Sequence, residues 1–390
     1  MPQFQNSLED FNLTEEALND SRVRQVLVEF LGSDSMTSPT MKAVLISVYS
    51  LISLTALFTN SAILTVIVRT KKLCVPTHLL LLNLMIADLL LSTVCMPFTL
   101  ISFLRKSWPF GWICCKIIPL IQGTAVFATS ITIAVIAADR WYQITAGVPV
   151  INNKYIVSTF SRKKLFLEVA LIWIVSVCFA LPMAVYQVET EIGFPGILSY
   201  PKCIENWPNH SFGFYSLMVL FIQLIIPMTC LLLSFFKIRS HLQQNLEKIL
   251  PGGGSPHREM IVSLKMGNSE ASTLTTVEEV SKSGSEQNVA QQETQRKRIL
   301  REMERNRRVT NTLLTVSASF IICWMPWNAI NIIMDFNNSL ISSDVAYALL
   351  ATCHVVAMSS VVVNPVLYGY TNTNIRRELR FRSTSPDSSS

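Results

Sequence analysis

Three polar side chains interrupt stretches of sequence that are otherwise apolar, and together they could hold a cation. Asp88 lies in NLMIADLL, Asn60 in FTNSAIL and Asn364 in VVVNPVLY. Hard cations prefer oxygen ligands, so a sodium ion could lie among three helices that carry these groups. Further oxygens could come from Thr129, Ser359 or Ser360. The alternative is an interhelical hydrogen-bond cluster that only holds the helices together, and physical reasoning alone favours that simpler role.

A second set of residues could allow a protein to change shape. Proline removes one backbone hydrogen bond and crowds the preceding turn. Prolines recur inside the apolar stretches at Pro97, Pro182, Pro227, Pro326 and Pro365. Repeated bends of this kind indicate helices that pivot and open a cavity. Trp324 lies two residues before one of these prolines, where a bulky ring could respond to a bound molecule, although such a ring is more often plain packing.

Asp139 and Arg140 follow the apolar run VIAA, where an arginine needs a charged partner or water. The partner would be Asp139 or a neighbouring helix in one state, and solvent or a bound protein in another. At the end of an apolar segment an arginine can also simply extend its head group into water.

The elements that would position these residues are membrane-spanning helices. The chain has 390 residues, 50% of them hydrophobic and only 15% charged, with a mean hydropathy of +0.39. A helix of about 20 apolar residues crosses about 30 Å of hydrocarbon. Seven segments qualify and are numbered spans 1 to 7 in chain order: 43–68, 77–104, 117–138, 165–188, 211–236, 309–334 and 345–370. The sequence therefore predicts an all-α membrane protein with a seven-transmembrane helix bundle rather than an ordinary soluble protein.

The distribution of basic residues predicts the orientation of the spans. The segments on one side hold 25 Lys and Arg, and those on the other side hold 7. Because basic loops stay in the cytoplasm, the N-terminus is predicted to be extracellular. The extracellular segments have a net charge of −5, which suits a cationic ligand, and the cytoplasmic segments have +13, which suits anionic membrane lipid. Glycosylation sequons begin at Asn12 and Asn19 in the extracellular tail, and at Asn209 and Asn337 near the membrane.

The soluble segments divide the chain into five parts. These are an extracellular tail (1–41), spans 1 to 5 with their loops (42–250), a disordered third cytoplasmic loop (251–294), spans 6 and 7 with a cytoplasmic extension of span 6 (295–370), and an amphipathic helix with the C-terminal tail (371–390). The loop is rich in Gly, Ser, Glu and Lys, so it cannot bury a core. Ile375 and Leu379 lie four residues apart among arginines, which predicts the short helix on the cytoplasmic surface.

Of the nine cysteines, only Cys114, Cys115 and Cys203 fall in segments that face the oxidising exterior. A disulfide from the outer end of span 3 to the second outer loop would tether that loop across the mouth of the bundle. Cys115 is the better partner for Cys203, because Lys116 follows it at the membrane boundary. No metal site is predicted, since no Cys-x-x-Cys or His pair has ligand spacing.

These elements, in this order, resemble the rhodopsin-like (class A) G-protein-coupled receptors over residues 43–381. The matching motifs are Asn60, LNLMIADLL, Cys115, ADRW, Trp173, Pro227, CWMP and NPVLY, spread over all seven spans. The resemblance implies that Asp139 and Arg140 control the inner face, and that Asp88 and Asn364 form a sodium and water site. It implies that an outer signal passes through Trp324, Pro326, Asn364, Pro365 and Tyr368. Asn364 and Pro365 would then be the hinge of a two-state switch.

Within that family, the closer resemblance is to neuropeptide Y and invertebrate neuropeptide F type receptors. It rests on VCMPFTL, SWPFGWICCKIIPLIQG, CIENWP and CHVVAMSSVVVNPVLYGY. Such receptors bind peptides that end in an arginine and an aromatic amide. The positions implied for the ligand are Gln122 and Gln223 for the amidated end, Asn331 and Asp335 for the arginine, and Thr99 and His354 in the pocket lining. The implied intracellular partners are a heterotrimeric G protein of the inhibitory class, arrestin and receptor kinases.

Three positions depart from the family pattern. Trp141 follows Asp-Arg where tyrosine is usual, Thr59 replaces a glycine before Asn60, and Phe235 stands where a tyrosine normally supports the active state. The loss of that tyrosine hydroxyl bears on the strength of signalling rather than on its existence.

Other functions fit the sequence less well than a plasma-membrane receptor for an amidated neuropeptide or another short peptide. A secondary transporter should contain repeated halves with matching broken helices, and no such repeat occurs. A retinal photoreceptor needs a lysine in span 7, and none lies between Asp344 and Arg376. An amine receptor usually carries aspartate where Gln122 stands. No nucleophile–base pair points to an enzyme, and no cofactor beyond the sodium ion and no nucleic-acid partner is expected.

Overall fold

The computed structural model describes seven stretches of the chain: 39–69, 76–145, 162–194, 198–208, 211–249, 286–336 and 343–371. Seven helices in these stretches are long and apolar enough to cross a membrane: Pro39–Arg69, His78–Arg105, Gly111–Tyr142, Lys163–Tyr186, Gly213–His241, Leu314–Phe336 and Tyr347–Leu367. Each one coincides with a predicted span. The predicted all-α membrane protein with seven transmembrane helices is therefore confirmed.

Five spans are single helices, and two contain a π turn. The helices are Pro39–Arg69 in span 1, Gly111–Thr145 in span 3, Arg162–Tyr186 in span 4, Glu286–Phe336 in span 6 and Ser343–Thr371 in span 7. Span 2 consists of Pro76–Leu90, the π turn Leu91–Cys95 and Met96–Arg105, and span 5 consists of Ser211–Leu220, the π turn Phe221–Ile225 and Ile226–Ile249.

The two π turns explain how spans 2 and 5 accommodate their prolines. They end at Cys95 and Ile225, each two residues before a proline at Pro97 or Pro227. A proline lacks the N–H group that a regular helix would use, and its ring clashes with the carbonyl four residues earlier. The wider π turn gives that carbonyl room, so the helix continues past the proline. The other three prolines predicted to mark bends lie inside continuous α-helices.

An antiparallel hairpin follows span 4, and the sequence did not predict it. Strand β1 (Gln187–Phe194) pairs with strand β2 (Leu198–Glu205), with Gln187 opposite Glu205. Val188, Thr190 and Ile192 alternate along β1, and β-branched residues favour an extended backbone. Span 4 therefore ends at Tyr186, two residues before its predicted end at 188.

The helix of span 6 begins earlier than predicted. It starts at Glu286 rather than 295, so residues 286–294 are helical and not part of a disordered loop. Their sequence, EQNVAQQET, contains no Gly or Pro and is rich in residues that favour helix. The rest of the predicted loop (251–285), the N-terminal tail with Asn12 and Asn19, and the sequons at Asn209 and Asn337 lie outside the described residues. So does the predicted amphipathic helix with the C-terminal tail (371–390), apart from residue 371.

Spans 2 and 3 form the centre of the bundle. Of their most apolar segments, 67% and 61% are buried, whereas only 22% of the corresponding segment in span 4 is buried. The largest buried cluster includes Tyr49, Met85, Phe320, Trp324 and Met358. Large apolar side chains such as Leu51, Phe58, Leu171, Phe214 and Ile322 are exposed on the outside of the bundle. An apolar exterior around a buried polar axis is what a bilayer environment requires. Asp88 and Arg140 belong to the two central spans, so they are positioned along this axis.

Candidate functional site

A disulfide holds the hairpin against one end of the bundle, which we call the hairpin end. It joins Cys115, near the start of span 3, to Cys203 in β2, with the two Cα atoms 5.7 Å apart. The backbone N–H of Trp108 also donates to the carbonyl of Pro201 at 2.7 Å. Cys114 is a free thiol. The predicted pairing of Cys115 with Cys203 is therefore confirmed.

Glu205 lies at the junction between the hairpin and span 5, and the sequence did not single it out. Gln187 donates to its Oε1 at 3.1 Å and the Trp207 indole donates to its Oε2 at 2.8 Å. The Trp207 ring packs against Tyr215 of span 5 at a centroid distance of 4.9 Å. The pKa of Glu205 is raised to about 7, mainly by burial; the Trp207 hydrogen bond lowers it, and the negative charge of Asp335 raises it. Only its acidic character on the hairpin could have marked Glu205 in the sequence.

The shifted pKa of Glu205 predicts a pH-dependent stability. The carboxyl has a pKa of about 7 in the folded chain and 4.5 ordinarily, so proton binding favours the folded state. Through this group, the free energy of unfolding should fall as the pH rises from about 4.5 to about 7 and then level off. Glu205→Gln keeps an oxygen for Trp207 but cannot ionise, so it should lose this dependence. The thermal unfolding midpoints of the solubilised wild type and Glu205→Gln, measured across this pH range, test the expectation. The same pH dependence of the midpoint in both proteins would contradict it.

Asp335 and Asn331 occupy one face of span 6 at the hairpin end, as expected for residues four positions apart. The Ser216 hydroxyl of span 5 donates to the Asp335 carboxylate. The Oδ2 atom of Asp335 is buried and has no hydrogen-bond partner in the described part of the chain. The Asn331 amide donates to the carbonyl of Trp327 at 2.8 Å. The predicted arginine-binding pair thus presents one unsatisfied acceptor.

Gly213 allows span 5 to approach span 6 close to Asp335, because a Cβ atom at this position would lie 2.8 Å from the Phe336 ring.

Gln223 is the deeply buried member of the predicted ligand set, with only 1% of its surface exposed. Its Oε1 accepts a hydrogen bond from the Asn328 amide at 3.3 Å. Its Nε2 is buried and has no hydrogen-bond partner among the described residues. The same Asn328 amide donates to the carbonyl of Trp324 at 2.9 Å. The sequence analysis missed Asn328, although an asparagine inside an apolar span was a usable signal.

The other predicted ligand residues differ in how accessible they are. Gln122 is half-buried on span 3, and the hydroxyl of Thr99 donates to the carbonyl of Cys95 at 3.0 Å. His354 is 1% exposed, and the Tyr49 hydroxyl lies 2.7 Å from its Nδ1. The Trp327 ring covers His354 edge-on at a centroid distance of 5.1 Å. His354 therefore lies in the packed interior, and its place in the pocket lining stays a prediction.

The predicted cation site contains more hydrogen-bond acceptors than donors. Asp88, Asn60, Thr129 and Asn364 are each at most 1% exposed. The amide of Asn60 donates to the carbonyls of Ala56 and Val361, both at 2.9 Å. Four buried oxygens have no hydrogen-bond partner among the residues the structure covers: Asp88 Oδ2, Asn60 Oδ1, Thr129 Oγ1 and Asn364 Oδ1. The donor Asn364 Nδ2 is also buried without a partner there. A cluster that only held helices together would satisfy its polar groups, and the unsatisfied oxygens are compatible with a cation. The cation site stays a prediction.

Trp324 connects span 6 to span 7 through a hydrogen bond. It is 2% exposed, and its indole N–H donates to the hydroxyl of Ser360 at 3.1 Å. Ser359 donates to the carbonyl of Val356 at 2.6 Å and approaches Cys323 at 3.5 Å. Ser359 and Ser360 therefore already have partners, unlike Thr129. Pro326 and Pro365 lie within the helices of spans 6 and 7, and the side chain of Tyr368 lies outside the described atoms.

At the end opposite the hairpin, polar side chains link the central spans. Asn83 donates to the hydroxyl of Thr132 at 2.7 Å and accepts from the Trp173 indole at 2.6 Å, which joins spans 2, 3 and 4. Asp139 and Arg140 are both half-buried near the end of span 3. The structure therefore places them where a movement of the neighbouring helices would change their exposure.

Comparison with known proteins agrees with this architecture. The family described as "7 transmembrane receptor (rhodopsin family)" matches residues 59–368. The neuropeptide Y receptor type 2 of Mus musculus is 26% identical over 348 residues, which cover 88% of this chain and 77% of the relative. The Bos taurus receptor of the same name is 27% identical over 348 residues, with coverages of 88% and 76%. The neuropeptide F receptor of Drosophila melanogaster is 29% identical over 371 residues, with coverages of 91% and 65%.

The family match covers most of the chain, includes parts of all seven spans and agrees with the helices in the structure. The protein is thus a multi-pass membrane protein. It belongs to the rhodopsin family of seven-transmembrane receptors, whose members are receptors and not enzymes.

Proposed function

We propose that the chain is a plasma-membrane receptor for an extracellular peptide that ends in an arginine and an aromatic amide. The observation that carries this proposal is a pair of unsatisfied groups of opposite kind, the acceptor Asp335 Oδ2 and the donor Gln223 Nε2. An arginine side chain donates hydrogen bonds, and a terminal carboxamide has a carbonyl that accepts them. The two unsatisfied groups therefore match the two polar features of such a peptide end.

The separation of the two groups suits adjacent residues of a peptide. Asn328, which holds Gln223, lies seven residues before Asp335 on the same helix. Seven residues of α-helix rise about 10 Å. Two extended peptide residues span about 7 Å, and the length of an arginine side chain makes up the difference. The names of the relatives, neuropeptide Y receptor and neuropeptide F receptor, support a neuropeptide as the ligand.

The proposed orientation puts the hairpin end outside the cell. A disulfide at that end suits an oxidising compartment, and the excess of basic residues lies in segments at the opposite end. A heterotrimeric G protein of the inhibitory class would then bind near Asp139 and Arg140, with arrestin and receptor kinases acting on the serine-rich tail. Glycans would lie on Asn12 and Asn19.

Signal transmission would follow the hydrogen bonds between spans 5, 6 and 7. A ligand at Gln223 contacts Asn328 through one hydrogen bond, and Trp324 connects that region to Ser360. Pro326, and Asn364 with Pro365, would provide the positions at which spans 6 and 7 bend between two states. The peptide therefore biases an equilibrium that the inner face reports to the G protein.

A panel of amidated neuropeptides, applied to cells that express the full chain, tests the function. A fall in stimulated cyclic AMP with peptides ending in an arginine and an aromatic amide is expected, and cells without the receptor should not respond. The free-acid form of each active peptide is the matched control. Activation only by peptides with unrelated termini would reject the proposed ligand class and leave a receptor for another short peptide.

The same family role includes a sodium ion, and the residues present fit one. Asp88, Asn60, Thr129 and Asn364 would hold it through the oxygens that lack hydrogen-bond donors. Ser359 and Ser360 could supply further oxygens. When bound, the ion would supply the positive charge that compensates the buried Asp88 carboxylate.

Asp88→Asn should abolish stabilisation of the receptor by sodium. A ligand that binds only the folded state at ten times its Kd raises the free energy of unfolding by about 1.4 kcal/mol. The unfolding midpoint of the solubilised wild type should therefore be higher in about 150 mM NaCl than in choline chloride of equal ionic strength. Glu168→Gln, which removes an acid from span 4 instead, should keep the difference. Equal midpoints of the wild type in both salts would contradict the sodium site.

A further inference from the structure

We propose that Asn328 fixes the orientation of the Gln223 amide, so that the buried subsite between spans 5 and 6 presents a hydrogen-bond donor and takes a carbonyl group of the ligand. This inference rests on the proposed function for the identity of the ligand, but its structural basis is independent of it. Asn328 would act as a positioning residue, because it reaches the ligand only through Gln223.

The orientation of the Asn328 amide follows from its backbone neighbour. The carbonyl of Trp324 can only accept a hydrogen bond, and the Asn328 side chain approaches it at 2.9 Å. The group that faces Trp324 must therefore be the NH2 group of Asn328 and not its oxygen. Asn328 is 4% exposed, so water does not compete freely for this contact.

The orientation of Gln223 follows in turn from Asn328. The NH2 group of Asn328 has a second hydrogen, and the nearest atom of Gln223 lies 3.3 Å from the same nitrogen. If Gln223 presented its own NH2 group to Asn328, two donors would face each other. The oxygen of Gln223 therefore faces Asn328, and its NH2 group faces away. This chain of hydrogen bonds assigns both amides without reference to any ligand.

The NH2 group that is left over indicates what the subsite binds. Gln223 is 1% exposed and its Nε2 has no hydrogen-bond partner in the part of the chain that the structure describes. A buried donor without an acceptor loses its hydration and gains nothing in return. A ligand carbonyl would satisfy it, whereas an ammonium or guanidinium group has only donors to offer. The arginine of a peptide is therefore excluded from this subsite, and its terminal carbonyl is favoured.

Asn328 also connects the subsite to the bend of span 6. One nitrogen serves both Gln223 and the Trp324 carbonyl, and Trp324 lies two residues before Pro326. A ligand that pulls on the Gln223 amide thus acts on the backbone just before the proline. The coupling does not require the ligand to touch Trp324.

The first test uses the ligand-free receptor and a double-mutant cycle. Gln223→Met and Asn328→Leu remove the two amides singly and together in the full solubilised chain. Because the residues share a hydrogen bond, the changes in unfolding midpoint should be non-additive by about 2–4 °C. Asn331→Leu removes an amide of the same helix that bonds Trp327 instead, so it should be additive with Gln223→Met. Additivity of Asn328→Leu with Gln223→Met would overturn the proposal, whichever peptide the receptor binds.

The second test identifies the ligand group that meets Gln223. The probes are a peptide that ends in an arginine and an aromatic amide, and the same peptide as its methyl ester, which keeps the carbonyl but lacks the N–H groups. Gln223→Met should lower the affinity of both probes by about tenfold, because both lose a contact to the carbonyl. Asn328→Leu should weaken both, and this loss should disappear in the Gln223→Met background.

The outcomes separate this inference from the proposed function. If Gln223→Met weakens the amide but leaves the ester unchanged, the oxygen of Gln223 faces the ligand and the proposal is wrong. If the loss caused by Asn328→Leu persists in the Gln223→Met background, Asn328 acts through packing and the positioning role is wrong. If neither probe binds the wild type, the proposed peptide class fails, and the cycle on the ligand-free receptor still decides the orientation.

Discussion

Cys203→Ser is expected to lower the affinity for a peptide ligand by at least about tenfold, together with the unfolding midpoint. The disulfide joins residues 88 positions apart and is the covalent link between β2 and span 3. Removing a native disulfide typically costs about 2–5 kcal/mol. Without it, the hydrogen bond from Trp108 to Pro201 would have to hold this part of the hairpin, and one such bond contributes about 0.5–1.5 kcal/mol. The hairpin would then be held less firmly over the hairpin end of span 6, where Asn331 and Asp335 lie.

The chain offers a matched control for this experiment. Cys114 is adjacent to Cys115 but free, so Cys114→Ser should leave affinity and midpoint unchanged. Cys115→Ser should equal Cys203→Ser, and the double variant should be no worse than either, since all three lose the same bond. Saturation binding and thermal unfolding of solubilised receptor provide the measurements. A loss in Cys114→Ser as large as in Cys115→Ser would show that the tether has been assigned to the wrong cysteine.

Asp335→Ala is expected to weaken an arginine-containing peptide by about 1.5–3 kcal/mol, which is about tenfold to more than a hundredfold in Kd. The reason is the unsatisfied Oδ2 of this carboxylate at the hairpin end, which a guanidinium group would pair with. Hydrogen bonds between two charged groups are roughly twice as strong as neutral ones. Competition binding with the active peptide gives the change directly.

A modified peptide makes the Asp335 test specific. Citrulline has the shape of arginine but no charge, so a citrulline peptide should bind the wild type weakly and lose little more in Asp335→Ala. Glu191→Ala removes an exposed acid from the hairpin and should change the affinity of either peptide by less than about threefold. Equal losses for the arginine and citrulline peptides in Asp335→Ala would show that the carboxylate does not pair with the arginine.

The spans could be predicted from the sequence because their signal is local. A run of about 20 apolar residues determines a membrane helix with little help from distant residues. Asn331 and Asp335 were selected by the family resemblance, and their common face on span 6 follows because residues four apart on a helix are neighbours. The pairing of Cys115 with Cys203 was also accessible, since few cysteines could face an oxidising compartment.

The features that could not be predicted depend on contacts between distant parts of the chain. The hydroxyl of Tyr49 meets His354, 305 residues away, only because spans 1 and 7 pack together. The bond between Asn328 and Gln223 likewise depends on how spans 5 and 6 are rotated. The hairpin gains its stability partly from a disulfide to span 3 and a backbone hydrogen bond to Trp108 in the loop before span 3. Helix-forming residues at 286–294 were a local signal, but the polar composition of the loop before them obscured it.

The π turn of span 5 rotates the side chains of the helix after it relative to those of the helix before it. Successive α-helical residues are rotated by about 100°, and a π turn accommodates one more residue than an α turn. The hairpin-side half of span 5, with Tyr215 and Ser216, is therefore out of step by about one residue with the half beyond Ile226. Helical-wheel reasoning that runs through Phe221–Ile225 without a break assigns one of the two halves to the wrong neighbours. Loss of a single residue there would leave the helix intact and turn Tyr215 away from Trp207, and Ser216 away from Asp335.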